Sequence, residues 1–424
     1  MKNKDYFKGK KITVAGLARS GLASANLLYD LGADVYVTDN QDNDSTRLHA
    51  VELKSKDIRV EIGRHSQDFI KGKDLLVVSP GITDTALPIA LARKFQIPVI
   101  SEIELGWILC PATVIAVTGS NGKTTVTTLI GQVLEAQGKR VFACGNIGNP
   151  FCGEVEKMEA GDFVSLEVSS FQLETIHEFK PKIALILNFT CNHLDRYKDM
   201  QEYLEAKKRI FMNQDETDYL VLNREDPAVR GLAIDAKSRV EYFSWAKYLN
   251  PNQSAVLSVA SILDIDRAVC LEVFRKFKGI EHRLEYVKEI NNVTFINDSK
   301  STTVDSTMWA FRDIQRPILL IAGGRHKGVD YSIISDLAIQ KAREIILIGE
   351  AKEQIKSSLS EFSSFREAST LEEAVNIAYS DASPGDCVLL SPMCSSYDMF
   401  HDYEERGRAF KKAVLNLAAG KHGA

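Results

Sequence analysis

Thr113-Val114-Ile115-Ala116-Val117-Thr118-Gly119-Ser120-Asn121-Gly122-Lys123-Thr124-Thr125 is the stretch whose reading decides the fold. Its first half is an apolar run of strand length, glycines open a turn, and a helical pattern over about 124–136 leaves it. A strand, a glycine loop and a helix in that order aim backbone N–H groups at one place, beside the positive end of a helix. Such a place suits phosphate. Lys123 can neutralise terminal phosphate charge, and the Thr124 hydroxyl suits Mg²⁺. The general pattern GxxxxGK[ST] asks for glycine at 117, where this chain has Val117, so context carries the reading. The bland alternative is a glycine turn with a surface lysine.

Working outward, the same alternation of strand and helix fills the chain. Before the loop, apolar runs at 11–15, 34–38, 75–78 and 98–100 read as strands, with a helix over 22–31 that stops at Gly32. After it come runs at 140–143, 163–168, 183–188 and 219–222, then 293–297, 318–322, 344–348 and 388–390. The pattern implies an α/β protein with mainly parallel sheets. It restarts near 109 and 285, which divides the chain into 1–108, 109–284 and 285–424. A length of 424 residues agrees with three domains at about 150 residues each.

Composition excludes several classes. Hydrophobic residues are 45% and charged residues 26%, enough for real cores and too mixed for extended disorder. A formal net charge of −5 gives no basic footprint for nucleic acid. The most apolar stretches end at glycines, far short of the ~20 residues of a spanning helix. The start Met1-Lys2-Asn3-Lys4-Asp5 leads into a strand with no signal-like apolar segment. Seven cysteines, at 110, 144, 152, 191, 270, 387 and 394, form no CxxC pair and read as reduced, packed thiols of a cytoplasmic protein.

Two further features bear on chemistry. The run Phe163-Val164-Ser165-Leu166-Glu167 ends in a carboxylate, which a strand neighbouring a phosphate loop can deliver to the metal. Alone, Glu167 reads as an ordinary strand-end acid. The turn Gly16-Leu17-Ala18-Arg19-Ser20-Gly21, with Asp39 beyond it, nearly matches the dinucleotide fingerprint GxGxxG. Its second glycine is replaced by Ala18, so an NAD-dependent oxidoreductase stays open as a weak alternative.

In order along the chain, 118–125, Gly145-Asn146-Ile147-Gly148, Leu166–Leu173, Asn188 through Asp195-Arg196, Glu281-His282-Arg283-Leu284-Glu285, Asn297-Asp298-Ser299-Lys300 and Gly323-Gly324 through Gly328 resemble the ATP-dependent Mur ligases. The block from Leu390-Ser391-Pro392 to Glu405-Arg406-Gly407 looks like the members that add D-glutamate. The resemblance implies three domains: a Rossmann-like first domain for UDP-N-acetylmuramoyl-L-alanine, a central ATPase domain, and a Rossmann-like third domain that helps bind D-glutamate. It implies ATP and Mg²⁺ as cofactors, a cytoplasmic monomer, and neither nucleic acid nor membrane as partner.

Residue by residue, the resemblance implies that Gly119, Ser120, Asn121, Gly122, Lys123, Thr124, Thr125, Asn252, Arg283 and Asp298 bind ATP. It implies Thr124, Glu167, His193 and Lys207, the last as a carbamate, as metal ligands, with Lys123, Glu167, His193 and Lys207 the catalytic set. Leu17, Ala18, Arg19, Asp39, Gly81, Asn146 and His193 are implied for the UDP substrate. Lys300, Thr302, Lys327, Ser396, Tyr397 and Tyr403 are implied for the amino acid. Read without the resemblance, Lys207 is a charged helix residue beside Lys208, and His193 a lone polar histidine.

The chain also departs from the family pattern. Segment 244–252 is short and lacks a strand-rich excursion, and Pro251-Asn252-Gln253-Ser254-Ala255 keeps only one of the paired asparagines expected for adenine. Asn192 replaces an acid before His193, Ser301 and Thr303 flank Thr302 in place of Ala and Asn, and Tyr403 replaces Phe. Two alternatives follow: a sibling ligase for another amino acid such as L-glutamate, and an inactive nucleotide-binding regulator.

Overall fold

A computed structural model describes residues 1–190, 196–245, 248–326 and 328–420, with Asp305 described in its backbone only. The first sheet is wholly parallel and holds β1 (Lys11–Ala15), β2 (Asp34–Asp39), β3 (Arg59–Ile62), β4 (Leu75–Val78) and β5 (Val99–Ser101). Its order is β3-β2-β1-β4-β5. The chain runs outward one way from β1 and the other way from β4. The turns that leave these two strands therefore meet at the switch point, where open α/β sheets bind ligands.

The second sheet is also wholly parallel: β6 (Thr113–Thr118), β7 (Val141–Gly145), β8 (Phe163–Glu167), β9 (Ile183–Ile186), β10 (Tyr219–Asn223) and β11 (Arg239–Phe243), ordered β11-β10-β9-β6-β8-β7. The helix Lys123–Ala136 covers one face because Val126, Leu129, Ile130, Val133 and Leu134 recur at helical spacing, and all five are buried. It stops where Gly138 takes φ +71°, the usual left-handed exit from a helix.

The third sheet is mixed. It holds β12 (Glu285–Ile290), β13 (Val293–Asn297), β14 (Ile318–Gly323), β15 (Ala342–Ile348), β16 (Phe365–Glu367) and β17 (Cys387–Leu390), ordered β12-β13-β17-β14-β15-β16. Only the β12–β13 pair is antiparallel. Asn291 and Asn292 close that hairpin with φ of 51° and 61°, a conformation that asparagine tolerates in two-residue turns. Central strand β14 is buried along its whole length. Each such aliphatic side chain contributes about 1.5–3 kcal/mol of burial, so Leu320→Ala should cost about 2–5 kcal/mol.

Four strands were not expected from sequence: β3, β11, β12 and β16. All four are sheet edges with half-exposed, charge-bearing residues, such as Arg59-Val60-Glu61-Ile62. The chain packs as two compact units, Met1–Phe277 and Lys278–Ala424, the first of which contains two of the three sheets. Six described cysteines are free and buried. Among the described residues no helix is long and apolar enough to cross a membrane.

Candidate active site

The phosphate loop leaves β6, where Ile115, Ala116 and Val117 are fully buried. Gly119 has φ +149° and Gly122 φ +81°, values that exclude most side chains. Gly122, which has no side chain to cap with, precedes the helix Lys123–Ala136. The start of a helix after a glycine turn is the end that suits an anion. A Cβ at 122 would also strike Asn252 Oδ1, so Asn252, near the start of the helix Pro251–Ile262, lies against the loop.

The loop is held in shape from β9. Ser120 N–H donates to the Asn188 carbonyl (3.0 Å), and Asn121 N–H to Asn188 Oδ1 (2.8 Å). Asn188 Nδ2 returns a bond to the Asn121 carbonyl (3.1 Å), and Thr190 N–H donates to Ser120 Oγ (3.0 Å). Lys123 folds over the loop, its Nζ donating to the carbonyls of Gly119 (2.8 Å) and Ser120 (3.0 Å). Thr124 is buried and Thr125 half-buried on the first helical turn.

Glu167 ends β8 directly beside β6, in register with Val117. Asn146 Nδ2 donates to Glu167 Oε1 (2.8 Å), whereas buried Oε2 has no partner among the described residues. A buried, bare carboxylate oxygen next to a phosphate loop fits a divalent cation, which is the group that removes its cost. Lys207 is 1% exposed. Its Nζ donates to the Gly119 carbonyl (3.1 Å) and lies 4.5 Å from the centre of the Tyr203 ring. Burial, reinforced by the charge of Lys123, holds its amine far below the usual lysine range. Lys207 thus reaches the phosphate loop with burial favouring its neutral form, from a helix (Met200–Lys208) whose sequence alone marked it only as charged.

The turn after β1 is the other candidate site of this unit. Asp39, 7% exposed, accepts from the N–H groups of Leu17 and Gln41, so it fixes the turn. Ala18 caps the helix Arg19–Asp30 without a side-chain acceptor, and Ala18 and Arg19 are exposed. Ser79 Oγ donates to the Gly16 carbonyl (3.3 Å), which draws the loop after β4, with exposed Gly81, against this turn. Asn146 is exposed while its amide tethers Glu167.

In the second unit, Arg283 stands between two left-handed residues, His282 (φ 63°) and Leu284 (φ 43°), a strained turn of the kind kept at functional sites. Its Nε is buried without a partner among the described residues. Asp298 accepts from Leu284 N–H (3.2 Å) and Ser391 Oγ (2.8 Å), and burial raises its pKa to about 6. Lys300 N–H donates to the His282 carbonyl (3.0 Å), and its Nζ lies 5.6 Å from the Tyr403 ring. Buried Arg406 binds Ser299 Oγ (3.0 Å), the Ser299 carbonyl (2.9 Å) and the Cys394 carbonyl (3.2 Å). Ser396 is buried, Thr302 half-buried and Tyr397 exposed. Burial lowers the pKa of His282, which is neutral near pH 7.

The structure thus brings Gly119–Thr124, Glu167, Lys207 and Asn252 together, and separately Arg283, Asp298, Lys300 and Tyr403. His193 and Lys327, together with Cys191 and Asn192, lie outside the described residues. Sequence reasoning missed Asn188, Thr190 and Arg406 as supports. The only signal was their place at strand ends and beside glycines.

Comparison with known proteins follows the same division. Residues 10–101 match the N-terminal domain model described as Mur ligase MurD-like, 117–261 the Mur ligase middle domain, and 282–394 the Mur ligase glutamate ligase domain. UDP-N-acetylmuramoylalanine--D-glutamate ligase of Geotalea daltonii is 40% identical, covering 97% of this chain and 99% of its own. The same-named protein of Geotalea uraniireducens is 41% identical over 97% and 98%. Among solved structures, UDP-N-acetylmuramate-alanine ligase MurC of Thermotoga maritima superposes with TM-score 0.61 at 20% identity, covering 97% of this chain and all of its own. A pseudomurein peptide ligase type C from Methanothermus fervidus gives 0.56 at 19% identity, over 96% and 100%.

Proposed function

The chain belongs to the Mur ligase family, and from that premise we propose that it joins D-glutamate to UDP-N-acetylmuramoyl-L-alanine in peptidoglycan synthesis. The observation that carries the reading is the near full-length identity to relatives bearing that activity in their name. The working division is 1–108 for the UDP substrate, 109–284 for ATP and 285–424 for the amino acid. A cytoplasmic monomer suits these small anionic substrates.

Bound ATP with Mg²⁺ supplies the phosphoryl group that makes the alanyl carboxylate a competent acyl donor, as an acyl phosphate. All else falls to the chain. Lys123 and the start of the helix Lys123–Ala136 neutralise phosphate charge, as phosphoryl transfer requires. Glu167, Thr124, His193 and Lys207 would hold the metal. Lys207 qualifies because burial favours its neutral form, and a neutral amine can attack carbon dioxide. Its nitrogen gains a bond to carbon and loses a proton, and the resulting carbamate is an anion facing the site.

Leu17, Ala18, Arg19, Asp39, Gly81 and Asn146 position the uridine diphosphate, with the bare helix start at Ala18 facing its phosphates. Asn252, Arg283 and Asp298 orient the nucleotide. Lys300, Thr302, Lys327, Ser396, Tyr397 and Tyr403 hold the glutamate carboxylates, so that its amine attacks the acyl carbon and phosphate leaves. Purified protein should form the D-glutamyl product, detected by mass, with ADP and phosphate in equal amounts. Product formed equally from L-glutamate or a diamino acid would overturn the substrate assignment.

A further inference from the structure

Arg196 is the point where loop 79–82 and the aromatic cluster beside the phosphate loop are tied together. Its guanidinium donates to the carbonyls of Pro80 (3.0 Å) and Ile82 (3.0 Å), which flank Gly81. The same group forms a two-pronged pair with the Glu174 carboxylate (2.9 and 2.6 Å), to which the Tyr197 hydroxyl also donates (2.7 Å). Only 11% of the Arg196 side chain is exposed. These bonds anchor loop 79–82, which lines a narrow crevice together with Phe171, Glu174 and Thr175.

From Arg196 a continuous set of contacts leads to the phosphate loop. The guanidinium lies 4.3 Å from the centre of the Phe171 ring, Phe171 meets Tyr197 at 6.0 Å, and Tyr197 meets Tyr203 at 5.2 Å. The Tyr203 hydroxyl reaches Ser120 Oγ at 3.4 Å, and Lys207 sits over its ring. A second route runs from Glu174 back through the short helix Ser170–Leu173 to Glu167 at the end of β8. Both routes converge on the Arg196–Glu174 pair.

We infer that Arg196 is a positioning residue that couples occupancy of the pocket beside loop 79–82 to the phosphate loop. The inference rests on the reading that this pocket takes the UDP-sugar peptide. Substrate that fixes loop 79–82 fixes the two carbonyls. The guanidinium, the aromatic ladder and Ser120 are then fixed as well. Lysine cannot replace arginine here, because one ammonium cannot serve two carbonyls and a carboxylate in a planar fork. Phosphoryl transfer is thereby favoured only when an acceptor carboxylate is in place.

The test is calorimetric titration of the full chain with UDP-N-acetylmuramoyl-L-alanine, with and without saturating Mg²⁺ and a non-hydrolysable ATP analogue, and the reverse titration. In the unaltered protein each ligand should tighten the other by the same factor, about fivefold or more. In Arg196→Lys that factor should fall below about twofold, while the analogue alone binds within about threefold of normal. Glu174→Gln, which leaves both carbonyl contacts available, should lower the factor at least about twofold and serves if Arg196→Lys fails to fold. A purely structural role would weaken both ligands and leave the factor alone, which overturns the coupling. A factor of one in the unaltered protein overturns it too. No binding of the UDP-sugar peptide overturns the proposed function itself.

Discussion

Lys207→Met should make the protein more stable and inactive together. Lys207 is 1% exposed, it contacts a backbone carbonyl and an aromatic face, and the charge acting on it is the like charge of Lys123. Methionine of similar length removes the buried amine and loses about 1 kcal/mol of hydrogen bond to Gly119. Relief of the burial penalty outweighs this, for a net gain of about 2 kcal/mol near pH 7. At about 2–4 °C per kcal/mol in a unit of this size, Tm rises by about 4–8 °C.

The pH dependence carries its own sign. The folded pKa lies below the unfolded one, so the unfolded chain binds the extra proton and wild-type stability rises with pH toward the ordinary lysine range. The advantage of Lys207→Met should shrink between pH 7 and 9, by at most about 1.4 kcal/mol per pH unit. Thermal unfolding in buffer free of carbon dioxide measures both quantities. Added bicarbonate with Mg²⁺ should raise Tm of the wild type alone. A variant several degrees less stable at pH 7, or a gap that widens with pH, would refute the burial argument.

Asp298→Asn should be more stable than wild type above pH 6 and equal to it near pH 4. An acid raised to about 6 holds its proton better when folded, so its stability contribution is lost as pH rises toward 6, by about 3 kcal/mol at most; pH-dependent urea unfolding checks this. Glu167→Gln should raise the Mg²⁺ concentration needed for half-maximal turnover and lower kcat by about 10²–10³, read by coupled ADP release. Gly122→Ala puts a side chain at φ +81° and displaces Asn252, costing about 1–2 kcal/mol and raising KM for ATP about tenfold, read by unfolding and steady-state kinetics. Lys123→Ala should lower kcat/KM for ATP by about 10³ with Tm unchanged within about 2 °C.

The buried strands were legible because they are buried on both faces and read as continuous apolar runs, Ile318-Leu319-Leu320-Ile321 being the plainest. The phosphate loop was legible because glycines, Lys123 and Thr124 follow such a run directly. The edges β3, β11, β12 and β16 were not, since an edge strand carries charges that blur its period. The separation of the second unit near 277, ahead of His282-Arg283, leaves no mark in composition. Glu167 was visible as a strand-end acid, but the tether from Asn146 to its Oε1, made by pairing of β7 with β8, was not. Arg196 lies within a motif, but its grip on Pro80 and Ile82 joins residues more than a hundred positions apart, which no local pattern records.

The central claim is that the alanyl carboxylate is activated by phosphoryl transfer and then taken by the amine of D-glutamate. It is tested most directly with UDP-N-acetylmuramoyl-L-alanine carrying ¹⁸O in that carboxylate, turned over with ATP, Mg²⁺ and D-glutamate. One labelled oxygen should leave in the released phosphate and the other remain in the new amide. Phosphate free of label, with product formed, would contradict the account.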